Sequence, residues 1–189
     1  MTIELAPSES AARLREQFPE IVTDVGPNWL RIAHPDVLGV FRFLRDDPQL
    51  DFVYLTGLTA VDWLDRFEIV YHLQSLRHNH IATFKVATDR ENPSLPSVTP
   101  IWQGARLQEA EVYDLMGIRF EGHPALRRIF LWEGFSGWPL RKDFLQLGQG
   151  AYNPGLPHFP KEGGDRGVLT GPNWTVPAAQ REAHGEDEE

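Results

Sequence analysis

From Arg66 to Leu76 the chain alternates. Phe67, Ile69, Tyr71 and Leu73 fall on one side of an extended backbone, and Glu68, His72 and Gln74 on the other. A period of two is that of a half-buried strand. Arg77-His78-Asn79-His80 reads as a hairpin loop, and Ile81 to Thr88 as the returning strand. Upstream, Phe52 to Thr59 is dense in β-branched and aromatic residues and predicts a buried strand; Gly57 within it predicts a bulge or a close backbone approach. Ile21–Val25 and Trp29–Ala33 read as two strands joined by a turn at Gly26-Pro27-Asn28. Helical spacing takes over elsewhere. Ser8 to Phe18 places Ala12, Leu14 and Phe18 at apolar positions, with Ser8 or Ser10 as cap. His34-Pro35-Asp36 opens a second helix, carried by Val37, Val40, Phe41 and Leu44 and closed by Asp46-Asp47-Pro48. A third runs from about Gly104 to Met116, with Gly117 as a left-handed stop.

The resulting order is αββαβββα. Its helices are too few and too clumped for a doubly wound parallel sheet. It predicts an α+β fold: a largely antiparallel sheet of about five strands with helices packed on one face, plus an extended C-terminal tail. Residues 1–147 form the expected globular domain. Residues 148–189 are rich in Gly and Pro, with no sustained period and an acidic end, Glu186-Asp187-Glu188-Glu189. Such a stretch cannot offset its ordering entropy by forming a core. It nevertheless carries spaced aromatic residues, among them Tyr152 and Trp174, which suit an extended segment lying on a partner.

Charge and composition narrow the function. The formal net charge is −9 over 189 residues, which argues against nucleic acid as a partner. With no cysteine, the chain has no thiolate ligands for an iron–sulfur cluster or structural zinc and no disulfides. No run of about 18 apolar residues offers a membrane-spanning helix. The start of the chain lacks the basic and apolar regions of a signal peptide, so contact with a membrane is expected only through partner subunits. His72, His78 and His80 cluster without carboxylates at ligand spacing and read as a polar hairpin, not a metal site. Asp62 and Asp65 around Trp63 read as a turn. No glycine-rich phosphate loop follows a strand.

The densest chemistry lies in residues 103–144. Helical winding puts Ala105, Val112, Leu115 and Met116 on one side of the third helix with Glu109 among them, and Glu111 and Asp114 on the other. A carboxylate on a buried stripe needs a partner. Arg127 and Arg128 follow a turn at Gly122-His123-Pro124, and Arg141-Lys142 follow a turn at Gly137-Trp138-Pro139. A salt bridge from Glu109 or Glu111 to Arg127, Arg128 or Arg141 is therefore expected.

This segment resembles the signature of the C subunit of the proton-pumping NADH–quinone oxidoreductase, respiratory complex I. The matching residues are Glu109, Glu111, Tyr113, Asp114, Gly117, Gly122, His123, Pro124, Arg127, Arg128, Pro139, Leu140, Arg141, Lys142 and Asp143. Ala110 stands where the family usually has Arg, and Leu107 where Trp is common. The resemblance implies a cofactor-free, non-catalytic chain of the hydrophilic arm, peripheral on the cytoplasmic face of the membrane. FMN, iron–sulfur clusters and quinone would sit in other subunits. It implies packing on the D subunit of the complex, near the B and I subunits, with the tail running over neighbours. Related hydrogenase and ferredoxin- or F420-linked assemblies use the same protein family. A stand-alone enzyme with His123, Arg127 and Arg128 in its pocket is the other reading.

Overall fold

Strand β6 (His80–Asp89) is the axis of the sheet in the computed structural model, which describes residues 2–33, 36–132, 135 and 137–144. The expectations for the tail, including Tyr152 and Trp174, lie outside these residues. Along one edge, β6 pairs antiparallel with β5 (Arg66–Ser75), which pairs antiparallel with β4 (Tyr54–Asp62). Along the other edge it carries two short strands in parallel: β1 (Ile3–Glu4) at His80–Ile81 and β3 (Leu30–Ile32) at Phe84–Val86. Strand β2 (Val22–Val25) closes that side as an antiparallel partner of β3.

The main sheet thus has six strands, not about five, and two of its pairings are parallel. Two residues of β1 are too few to show any period, and nothing local specifies which edge β3 joins. A further pair escaped the pattern. β7 (Ser94–Pro96) lies inside a Pro-rich stretch, residues 92–97, that shows no alternation. It pairs in parallel with β8 (Arg119–Glu121) across helix α3 (Ala105–Met116). Each is three residues long, and their burial rests on single side chains, Leu95 and Phe120.

The core side of β5 is as expected, with Phe67, Ile69, Tyr71 and Leu73 buried in the core, but Glu68 and Val70 on its other face are buried too. Helix α1 (Pro7–Gln17) adds Ala11 and Leu14, α2 (Val37–Asp46) adds Val37, Val40, Phe41 and Leu44, and α3 adds Ala105, Val112 and Met116. Phe41 is the aromatic hub, with ring centroids 4.6 Å from Tyr71 and 5.5 Å from Trp102. Such pairs add to the roughly 1.5–3 kcal/mol that burying each large side chain contributes. Helix α1 starts at Pro7, whose fixed φ suits the first turn, so neither Ser8 nor Ser10 caps it. Asp36 does cap α2, accepting from the Gly39 N–H at 3.1 Å. The bulge in β4 falls between Leu55 and Gly57 as read, but a Cβ on Gly57 would meet His72 only at ordinary contact distance. Glycine there serves the bulge, not a close approach.

Candidate functional site

After β8 the described residues between Gly122 and Phe144 include no helix or strand, yet they are fastened to the body at named points. The first is Asp114. Read from winding alone it belongs on the outer side of α3, but it is fully buried, because the following chain folds back over it. Its Oδ2 accepts the backbone N–H groups of Ile129, Phe130 and Leu131 at 2.9, 2.7 and 3.0 Å. Its Oδ1 accepts from Arg128 Nη1 at 3.1 Å. Burial pushes this carboxyl up, but those four donors outweigh burial and hold it below its ordinary value.

The second fastening is Asp62, at the end of β4. It accepts from Arg90, from the Leu64 N–H at 2.7 Å and from the Lys142 N–H at 3.0 Å. Arg90 also reaches Asp143 at 2.9 Å. Again burial raises the Asp62 carboxyl, and its donors, with Arg90 first, bring it below the usual carboxylate range. A third set lies at the end of α3. Leu140 N–H donates to the Leu115 carbonyl at 3.1 Å and Arg141 Nε to the Met116 carbonyl at 2.7 Å, satisfying carbonyls that a helix end leaves open. The Arg141 guanidinium lies 4.2 Å from the Trp138 ring centroid and 4.9 Å from that of Phe67. Burial lowers its pKa from the ordinary value.

Trp138 also covers Gly117, the helix stop. Gly117 has φ +73°, and a Cβ there would lie 2.3 Å from the indole. Gly117→Ala is expected to cost about 1–2 kcal/mol for the left-handed backbone alone, and more for the displaced indole. Tryptophan fluorescence read alongside urea unfolding would check this; an unchanged midpoint and emission maximum would count against the packing described.

The expected salt bridge from Glu109 or Glu111 to the arginines does not form. Glu109 is fully buried as anticipated, but it accepts from Ser97 Oγ at 2.6 Å and from the Val98 N–H at 2.7 Å. The loop before α3 supplies these donors, so no arginine is needed. Burial raises the Glu109 carboxyl from 4.5 to about 7, against the pull of both donors. His123 Nε2 stands 4.0 Å from it and donates to the Arg106 carbonyl at 2.9 Å, while Nδ1 accepts the Ala125 N–H at 3.1 Å. Both ring nitrogens are thereby used in holding the chain after Gly122 to the start of α3. The Tyr71 hydroxyl is buried without a hydrogen-bond partner among the described residues, and burial together with the Glu109 charge raises its pKa.

The structure therefore unites Asp114, Gly117, Arg128, Leu140, Arg141, Lys142 and Asp143 in one fastened segment, with His123 and Glu109 beside it. Glu111 is exposed and forms no ion pair among the described residues, Pro124 is exposed and Pro139 half-buried, Tyr113 contributes its carbonyl to the Gly117 N–H, and Gly122 takes φ +78° at an open turn. Asp62, Arg90, Ser97 and Trp138 were missed as parts of the site. The aromatic-flanked Asp62-Trp63 and Trp138-Pro139 were the available signals. Among the described residues no group of three or more His, Asp or Glu side chains could hold a metal ion, and no helix is long and apolar enough to cross a membrane. Ile129, Phe130, Trp132 and Leu140 are large apolar side chains that the segment leaves exposed, beside exposed Arg127, Lys142 and Asp143.

The family described as the respiratory-chain NADH dehydrogenase 30 Kd subunit matches residues 30–149, a span holding every one of these fastenings. The chain belongs to that family. It is 49% identical over 138 residues to the C subunit of the NADH-quinone oxidoreductase of Roseiflexus sp. (strain RS-1), covering 69% of this chain and 79% of the relative. To the corresponding C subunit of Hyphomonas neptunium (strain ATCC 15444) it is 41% identical over 148 residues, covering 75% and 73%. Among solved structures it is similar to the trypsin-resistant fragment (1-134) of Nqo5, with a TM-score of 0.54 and 28% identity, over 64% of this chain and 99% of the fragment. It is also similar to a chain of the membrane-bound sulfane sulfur reductase, an archaeal respiratory membrane complex, with a TM-score of 0.57 and 26% identity, over 75% and 86%. The α+β architecture with a mostly antiparallel sheet is thus the fold of this complex I family.

Proposed function

We propose that the chain is a non-catalytic structural and assembly subunit of the peripheral arm of NADH–quinone oxidoreductase. It supports NADH-to-quinone electron transfer coupled to proton translocation by packing on the D subunit, which helps form the quinone site, beside the B and I subunits, at the cytoplasmic face of the membrane. The observation that carries this is the fastened segment. Buried carboxylates hold an irregular stretch in one conformation, and it exposes the large apolar side chains Ile129, Phe130, Trp132 and Leu140. Such rigid presentation lowers the ordering cost of docking. The chain carries no cofactor of its own in this reading; the absence of cysteine removes the usual cluster ligands. Likeness to the sulfane sulfur reductase chain keeps a second reading, the same structural role in a related respiratory membrane complex.

Tagged chain purified from its native membranes is expected to bring down flavin and iron–sulfur subunits, whereas recombinant chain alone should show no visible absorbance and no NADH oxidation. Stoichiometric flavin or iron in the isolated chain would overturn the assignment. Residues 148–189 are proposed as a strap across neighbouring subunits, and the trypsin-resistant fragment of the related Nqo5 favours a body stable without such an extension. Truncation after Gly148 should move the melt of the purified chain by less than about 2 °C and lower its recovery in the complex. A truncated chain that fails to fold, or assembles as well as the full chain, removes the strap.

A further inference from the structure

Between the outer side of α3 and residues 125–129 runs a groove of about 350 Å³, lined by Arg106, Leu107, Ala110, Ala125, Arg127 and Ile129 among others. Both walls are fixed from behind. His123 bridges the Arg106 carbonyl and the Ala125 N–H, and Asp114 holds the Ile129 N–H. The floor and one rim are apolar, with Leu107 68% exposed. Its charged groups are both cationic: Arg106 and Arg127 are exposed and form no ion pair among the described residues, on a chain whose net charge is −9. Glu111, one turn along α3 from Leu107, pairs with neither. Small Ala110 keeps the floor open. Exposed Phe130 and Trp132 continue the apolar surface beyond Ile129.

We propose that this groove is a preformed docking socket for a segment of a neighbouring subunit that inserts an apolar side chain between flanking Asp or Glu residues. Charge selects the occupant: two guanidinium groups with no ion pair among the described residues, beside an apolar floor, are complementary to carboxylates around an apolar tip, and like charge would exclude a basic segment. The proposal rests on the reading of the chain as a complex subunit and names one of its contact sites.

The test uses the full-length chain in its native membranes, with the tag on another subunit of the complex. A photo-crosslinking phenylalanine analogue replaces Leu107, and a separate variant carries Arg106→Glu and Arg127→Glu. The expected results are a crosslink to an Asp- or Glu-containing peptide of another subunit and a loss of recovery of the charge-reversed chain of about tenfold or more. The purified variant should melt within about 2 °C of the parent, because His123 holds the Arg106 carbonyl rather than its side chain. A crosslink to residues 145–189, to a second copy of the chain, or to nothing overturns the socket while leaving the family assignment standing. So does full recovery of the charge-reversed chain, or a melt lowered well beyond that range. If the chain is missing from the purified complex altogether, both readings fall.

Discussion

Asp114→Ala is expected to destabilise the fold by about 3–5 kcal/mol, the range found when one member of a buried, hydrogen-bonded charge pair is removed. The substitution strands three consecutive backbone N–H groups that converge on one carboxylate and takes away the charge partner of Arg128, which keeps its bonds to the Asp114 and Gly137 carbonyls. Each buried donor left unmade costs about 1–3 kcal/mol. Some of this is recovered if residues 128–131 swing into water. Arg128→Met should therefore cost less, because Asp114 would still hold the three amides. Urea unfolding gives the global loss, and hydrogen exchange at Ile129, Phe130 and Leu131 gives the local one. A cost below about 1 kcal/mol with unchanged exchange at those amides would show that the carboxylate is not the fastening. The acid side follows from the same group. Its folded carboxyl lies below the ordinary value, so its contribution is complete above the unfolded pKa of 3.8 and is lost as pH falls through the folded one.

Glu109 runs in the opposite sense. Its folded carboxyl is raised from 4.5 to about 7, so the folded state holds a proton that the unfolded state has released between those values. The contribution of that proton is present in full below pH 4.5 and disappears as pH rises through about 7. It amounts to about 3 kcal/mol. Glu109→Gln keeps the shape and most of the bonding: the amide oxygen can accept from Val98, and the NH₂ can donate to Ser97 Oγ, whose own proton is free for Thr99 Oγ1 at 2.7 Å. The glutamine variant is expected to match the parent at about pH 5 and to exceed it by about 1–3 kcal/mol at about pH 8, with a flatter profile between. Parallel denaturant titrations at the two pH values decide this. A variant clearly less stable than the parent on the alkaline side would mean that the carboxylate form is the favoured one and that burial is outweighed.

These two carboxylates show where the sequence was legible. Glu109 sits on the apolar stripe of α3, and winding alone predicted its burial. Its partners did not follow, because one is a backbone N–H, a donor every residue but proline carries. Asp114 points away from that stripe, and its burial depends on a stretch that arrives later in the chain. No periodicity within the helix can report a cover made by residues 128–131. The strands divide the same way. β5 and β6 run ten residues each and alternate visibly, whereas β1, β7 and β8 are two or three residues long and exist because a neighbour offers them an edge. Glycine chemistry was legible at Gly117, where it has a steric duty, and at Gly57, where of the two readings the bulge is the one realised.

The order of the fastenings along the chain has a kinetic consequence. Asp62, Arg90, Asp114 and the carbonyls of Leu115 and Met116 all precede the stretch they hold, residues 127–144. On a ribosome adding about 5–20 residues per second, the sheet and its three helices are synthesised before that stretch emerges. The late segment meets an already assembled template and has only to settle on it. In pulse-labelled exchange during refolding, the amides of β5 and β6 would gain protection first, and those of Ile129, Phe130 and Leu131 in a separate, later phase.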